Sequence, residues 1–398
     1  MKYALKRTIK KHASEILGQQ LSDVYEWEKP EKTLQQDIEG YFTTSDGREI
    51  PVTKHHRYSL KKTWTMFGPL SALHELNQKG LLNDQDQSFL KKAQGYRTIE
   101  APLSEIREIL APYLEKYTDL FLSADIPDLG PRVLKPQKLD VENAIEEKTK
   151  SHKNLFEKIQ GCVPSFQTKK AKVLEVGYTS GGESIIGFER LGMDAYGIDY
   201  NYDGSFETNS RHQHVAELAR SKATFLTGDI TKKTDIDEEF LDAIYTLSVL
   251  EHIQDLPAAF DEMYRILKPG GVMYHHYDPY FYIKGGHPPC MLDSPWAHMR
   301  MNEKDIERYI KECRPHEAKS TIPWIRSALN RKHTQSYVQQ ALSQSGFKIY
   351  WWQNREVSPD HKKLLSPDII ADCLSINDGV SLTDLLSYAV AFIAIKPE

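Results

Sequence analysis

From residue 172 onward the chain alternates short apolar runs with longer segments whose apolar positions recur every three or four residues. The runs VLEVG (173–177), AYGID (195–199), ATFLTG (223–228), AIYTLSV (243–249) and GVMYHH (271–276) predict strands. Two more runs, FKIYWW (347–352) and YAVAFIAI (388–395), follow at a distance. Strand then helix, repeated, predicts a mostly parallel sheet with helices on both faces. In SVLEHIQDLPAAFDEMYRILKPGG, Leu256, Phe260, Met263 and Leu267 form an apolar helical stripe. Asp255 is placed to cap that helix, Pro257 sits in its first turn, and Pro269-Gly270-Gly271 is expected to stop it.

The first 140 residues read differently. Broken helical patterns over 5–17, 69–78, 86–94 and 103–122 predict a mainly helical N-terminal region. The stretch SADIPDLGPRVLKPQKLD (123–140) carries three prolines and reads as a linker. Helical periodicity resumes in VENAIEEKTKSHKNLFEKI, with Val141, Ile145, Leu155, Phe156 and Ile159 on one face. The expected division is an accessory region over 1–140 and an α/β domain over 141–398.

In an open parallel sheet, ligands bind at the carboxyl ends of the strands near the switch point. The loop after Val176 belongs there and reads G-Y-T-S-G-G, with Gly177, Gly181 and Gly182. A dinucleotide fingerprint needs GxGxxG, and its middle glycine is Thr179 here. That glycine lets the backbone approach a pyrophosphate, so the loop favours a nucleotide lacking one. Four companions follow in order: Glu175 before the loop, Asp199 ending the second strand, Gly228-Asp229-Ile230 ending the third, and LDAIYTLSVLEHI leading to LKPGG.

As an ordered set these motifs resemble the class I S-adenosylmethionine-dependent methyltransferases. The resemblance covers about residues 150–398 and is strongest from 172 to 276. It implies a doubly wound, seven-stranded, Rossmann-like sheet whose last strand inserts antiparallel beside the fifth and sixth. It also implies S-adenosylmethionine as the methyl donor. A carboxylate at the second strand end can accept two hydrogen bonds from ribose hydroxyls, which gives Asp199 that role. The resemblance assigns Asp229 to the adenine amino group. Glu175 is expected to orient the loop or meet the methionine ammonium. Gly177, Tyr178, Gly181, Tyr200, Ile230 and Ser248 complete the expected donor-binding set. A nicotinamide oxidoreductase would want GxGxxG and leaves GDI and LKPGG without a role. A non-catalytic scaffold that keeps the fold is the other alternative.

Methyl transfer displaces a neutral leaving group, so the protein must align the acceptor and, where it carries a proton, remove it. Glu251 and His252 follow the fourth strand. After the fifth comes YHHYDPYFYIKGGHPPCMLDSPWAHMR (274–300), rich in histidine, aspartate and tyrosine. Residues 277–330 are expected to form an insertion between the fifth and sixth strands that shapes an acceptor site. Three readings of its histidines are open: a general base, a divalent metal site, or hydrogen-bonded structural residues. Among bases, His276 and His287 are favoured, with His252 beside them. The spacing matches no recognised metal-ligand motif, and no metal is expected. Strand alternation puts His275 and His276 on opposite faces, so one of the two faces the acceptor. The acceptor expected is a hydroxyl on a small metabolite or saccharide, with nitrogen and sulfur next.

Charge changes this picture little. With 51 basic and 56 acidic residues the net charge is −5, which demands neither nucleic acid nor an anionic membrane. The basic patch KHHRYSLKKTW (54–64) reads as a solvated face rather than a nucleic-acid site, and no apolar run is long enough to span a bilayer. The N-terminal region is expected to close over the acceptor site or to make a homodimer contact. Four cysteines without a CxxC pair point to reduced thiols and a cytoplasmic setting.

Overall fold

A computed structural model describes residues 38–53, 138–178, 181–200, 208–283, 294–314 and 333–398, with isolated residues at 77, 80–85, 87–88, 285, 292, 318, 322–323 and 325–326. The helical segments expected over 5–17 and 103–122, and most of 69–78 and 86–94, lie outside these residues, as does the basic patch over 54–64.

The strands of the main sheet are β3 (Lys172–Val176), β4 (Asp194–Asp199), β5 (Thr224–Thr227), β6 (Leu241–Leu247), β7 (Leu267–Tyr277), β8 (Lys348–Glu356) and β9 (Ser387–Ile395). They lie in the order β5-β4-β3-β6-β7-β9-β8. β9 runs antiparallel to both neighbours and the other pairs are parallel. The order reverses at β3, which places the switch point at the loop after Val176.

Alternation along the strands separates two cores. On one face Leu174, Val176, Ile244, Met273 and Phe392 pack with Phe260 and Met263 of α4 (Leu256–Ile266) and with Val338 and Leu342 of α6 (Gln335–Gln344). On the other, Val173, Tyr245, Tyr274 and Ile393 pack with Phe156 and Ile159 of α1 (Lys138–Cys162) and with Ile185 and Phe188 of α2 (Glu183–Arg190). Helix α3 (Thr208–Ala219) joins that layer through Val215, which packs with Val141, Ile145 and Ile186. Asp255 caps α4 as its position suggested, accepting from the Ala258 amide at 3.1 Å.

Two boundaries differ from the sequence pattern. Helix α1 begins at Lys138, so the end of the expected linker is its first turn. The Pro269-Gly270-Gly271 turn lies within β7 rather than before it. The register passes from Leu241↔Leu267 to Ala243↔Val272, so these residues form a bulge. Gly270 adopts φ 76°, and its amide donates to the Lys396 carbonyl at 2.9 Å, which keeps the bulge tied to the end of β9.

The N-terminal part contains a β-hairpin that the helical reading did not include. Strands β1 (Ile38–Thr43) and β2 (Glu49–Thr53) pair antiparallel around a turn at Gly47, whose φ is 88°. The hairpin docks on α5 (Glu303–Cys313), inside the expected insertion. Phe42 meets the edge of Tyr309 at 5.3 Å, and Ile50 is buried with Ile306 and Ile310. Asp305 accepts from the Ser45 amide at 3.0 Å, the Ser45 hydroxyl at 2.7 Å and Asn302 Nδ2 at 2.8 Å. The insertion is braced in turn by the segment between β8 and β9. There α7 (Pro359–Lys363), α8 (Pro367–Ile376) and α9 (Leu382–Leu386) follow one another, each capped by a serine. Arg300 pairs with Asp372 of α8 at 2.8 Å, and the Trp296 indole donates to the Leu385 carbonyl at 3.1 Å. Among the described residues no helix is long and apolar enough to cross a membrane.

Asp305→Ala leaves the Ser45 amide and hydroxyl without their acceptor. Stability should fall by about 0.5–1.5 kcal/mol in a denaturant titration, because the exposed Ser45 donors turn to water once their acceptor is gone. Hydrogen exchange should accelerate at the amides of 41–50 and leave the main sheet unchanged.

Candidate functional site

The crevice at the carboxyl end of β3 is built by close backbone approach. Gly177 has φ 82°, and a side chain there would put its Cβ 2.5 Å from Val249 Cγ2. Its amide donates to the Ile198 carbonyl at 2.8 Å. Gly182, at φ 87°, stands where a Cβ would meet the Phe225 ring at 2.4 Å. Gly181 lies beside it at φ 117°. Gly177 and Gly182 need glycine for conformation and for space. Thr179 lies outside the described residues.

Tyr178 folds back under the loop. Its hydroxyl donates to the Leu226 carbonyl at 3.2 Å, and its ring meets those of His212 and Phe225 edge-on. Burial, with Asp199 near, pushes its phenol up to about 12. Asp199 ends β4 half-buried, and Tyr200 beyond it is exposed. The Asp229 carboxylate accepts from the Thr231 amide at 3.0 Å and hydroxyl at 2.6 Å, with Lys232 at 3.2 Å. Burial works to raise this group, but those hydrogen bonds and the Lys232 charge hold it below the ordinary carboxylate range. Ile230 turns inward to the core.

Glu175 is buried at 5% exposure on the α1–α2 face of β3, and its Oε2 has no hydrogen-bond partner. Burial raises its carboxyl to about 7, against a hydrogen bond from Ser184 and the charge of Lys148; Asp199 and Glu183 push the same way as burial. Ser184 Oγ also lies 3.2 Å from His152 Nε2. A buried chain of three polar side chains therefore runs from α1 through α2 to β3. The sequence reading did not single out His152. The signal was its place on the stripe of α1 that holds Ile145, Phe156 and Ile159, where a polar residue must find a partner.

The ends of β6 and β7 lie beside this crevice. The Ser248 amide donates to the His276 carbonyl at 2.8 Å, and its hydroxyl donates to Asp278 at 3.1 Å. The short 3-10 turn Leu250–His252 holds Glu251 buried and His252 half-buried, with the Asp278 amide 3.4 Å from Glu251 Oε1. Burial raises the Glu251 carboxyl to about 7, opposed by His252. His275 and His276 do point to opposite faces. His275 packs against Phe392 at 4.9 Å, and its Nδ1 lies 2.6 Å from Thr246 Oγ1, inside the α4 core. His276 lies on the same face as Glu175, in line with Leu247 of β6. Burial, assisted by Arg355, holds its imidazolium down to about 3. His298 is committed to the insertion, with Nε2 2.8 Å from the Tyr280 carbonyl. His287 lies outside the described residues.

Comparison with known proteins decides the family. The model of a methyltransferase domain matches residues 147–350, just over half of the chain. The chain belongs to this methyltransferase family. Its donor is S-adenosylmethionine, and the glycine cradle and the orphaned Glu175 oxygen are a site such a molecule fits. Phosphoethanolamine N-methyltransferase 3 of Arabidopsis thaliana is 39% identical over 101 residues, 25% of this chain and 19% of that protein. A sterol 24-C-methyltransferase of Aspergillus fumigatus is 33% identical over 101 residues, 25% of this chain and 26% of its own length. The chain thus spans about a fifth to a third of the length of the curated relatives it matches. A putative sarcosine dimethylglycine methyltransferase from Galdieria sulphuraria superposes with a TM-score of 0.39 at 14% identity, over 63% of this chain and 87% of that one.

The methyltransferase domain buries an unusual set of titratable groups. Burial holds His152, His275 and His276 at about 3 and His333 at about 4. In the unfolded chain they titrate near 6.5. As pH falls below 6.5 the unfolded state takes up protons that the folded state refuses, so stability drops. Glu175 and Glu251 act oppositely between 7 and 4.5, because the folded state holds their protons first. Four histidines outweigh two glutamates. The urea midpoint should therefore fall from pH 7 to pH 5. His275→Gln should flatten the plot of stability against pH by about 1.4 kcal/mol per pH unit, the contribution of one proton.

Proposed function

We propose that the chain transfers the methyl group of S-adenosylmethionine to a hydroxyl of a small metabolite or a saccharide. Bound in the crevice, the donor supplies a methyl group on a positively charged sulfur, and its departure asks no proton of the protein. Gly177, Gly181 and Tyr178 shape the loop that receives it, with Tyr200 and Ser248 along the rim and Ile230 packed beneath. Asp199 accepts from the ribose hydroxyls. Asp229 meets the adenine amino group; a carboxylate offers about four acceptor sites, and its own loop uses three. Glu175, held near neutrality, faces the methionine end.

One observation carries the acceptor half. The Ser248 amide binds the His276 carbonyl at the carboxyl end of β7, and Val249, next to Ser248, occupies the space left open at Gly177, which supports a neutral His276 imidazole near the donor crevice. A neutral imidazole next to the donor crevice can accept the proton of a hydroxyl as it attacks. His252 stands at the same edge, and the role expected of His287 is retained. A second reading keeps the reaction and gives the proton to Glu251, a buried carboxylate raised to about 7 and therefore poised near neutral pH.

Asp199→Ala should weaken binding of S-adenosylhomocysteine by roughly 10–100-fold in a calorimetric titration, the loss of one or two charge-assisted hydrogen bonds. His276→Gln should leave that affinity within a factor of about two and lower turnover by about 10²–10⁴. Normal turnover in His276→Gln would remove this histidine as the base. The pH profile separates the two readings. With His276 as base, turnover stays level from pH 8 to pH 5, because the ring remains unprotonated. With Glu251 it declines below pH 7, as the carboxylate takes up a proton.

A further inference from the structure

On the far side of His276 the sheet carries a charge that no described residue neutralises. The register runs from His276 of β7 to Ala391 of β9 and on to Gln353 of β8. One step toward the strand ends, Arg355 pairs with Ala389. Residues 353 and 355 share a face, as do 389 and 391, because side chains alternate along a strand. His276, Gln353 and Arg355 therefore stand on the α1–α2 face, with Ala389 and Ala391 of β9 in the strand row between them. Arg355 is 9% exposed, its Nη2 is buried without a hydrogen-bond partner, and it joins no ion pair with a described residue. Gln353 Oε1 is buried and equally without a partner.

A guanidinium keeps its charge under any condition a folded protein meets, so burial cannot be relieved by deprotonation. A buried charge without a counter-charge is costly, and proteins retain one where a ligand completes it. The fork of an arginine matches the two oxygens of a carboxylate or phosphate group. Its charge already reaches His276, whose imidazolium it helps to suppress.

We infer that Arg355 and Gln353 form an oxyanion-binding end of the acceptor site, so that the acceptor is a small molecule bearing a carboxylate or phosphate group. This rests on the proposed methyl-transfer reading of the crevice. The acceptor's anion sits on Arg355, an adjacent N–H or O–H donates to Gln353 Oε1, and the atom to be methylated lies near His276. Two strand spacings separate the β7 and β8 rows, roughly 10 Å, the length of a metabolite rather than a polymer. A neutral sugar or a sterol would leave the Arg355 guanidinium uncompensated.

The test uses the full chain saturated with S-adenosylhomocysteine, at fixed ionic strength in chloride. Inorganic phosphate and acetate are titrated separately by calorimetry, and the anion bound more tightly names the group. Wild-type protein should bind at least one of them saturably, with a dissociation constant of millimolar order. Arg355→Gln should weaken that binding at least tenfold and leave S-adenosylhomocysteine affinity unchanged. Arg355→Lys, which keeps the charge and loses the fork, should weaken it about threefold. Absence of saturable binding of either anion to the wild-type protein overturns the inference whatever the variants do. Unchanged anion affinity in Arg355→Gln overturns it as well. Failure of S-adenosylhomocysteine itself to bind the wild-type chain overturns the underlying methyl-transfer reading instead, and with it this one.

Discussion

The absence of a single β-carbon at Gly177 is the constraint on which the site depends. Val249 fills the space that a side chain would take, while the Gly177 amide reaches the Ile198 carbonyl. One backbone position thus fixes the end of β3 against the ends of both β4 and β6. Asp199 is carried by the first contact, since it follows Ile198 directly. Ser248, and through it the backbone of His276, is carried by the second. The donor loop and the acceptor edge are therefore set by one steric event, not by two separate loops that must be aligned afterwards.

Strand alternation then divides the chemistry. Glu175, His276, Gln353 and Arg355 share one face, and His275 belongs to the hydrophobic core on the other. The adjacent histidines are chemically identical and differ in surroundings because of a one-residue step. The low dielectric that suppresses charge on both rings leaves His276 uncharged on the Glu175 face and His275 a core residue held at Nδ1 by Thr246.

The doubly wound sheet was legible because its strands are short, buried runs separated by helices with a clear apolar stripe. Asp255, Pro257 and the stripe through Phe260 and Met263 fall where the pattern put them. The tight glycine turn after β3 was legible from the spacing of its glycines. What escaped depends on long-range partners. His152 and Glu175 meet only through Ser184 of a third element, and Arg355 acquires meaning only when β9 brings it onto the His276 face, one pleat beyond that residue. Some local signals were simply passed over. The Ser-Pro-Asp starts at 358 and 366 announce helix caps, and the Asp-Gly pair at 46–47 between two alternating runs announces a hairpin. The glycine pair at 270–271 was read as a stop because nothing local distinguishes a helix terminator from a strand bulge.

The position of β9 has a consequence for biosynthesis. Among the described residues this strand is the only link between β8 and the remainder of the sheet. During translation β8 leaves the ribosome well before residues 387–395. Through that interval its backbone donors and acceptors, together with Trp351 and Trp352, have no sheet to join. The emerging polypeptide thus presents an aromatic, β-prone segment to its surroundings, the kind of transient surface that holding chaperones recognise and that favours self-association when translation stalls.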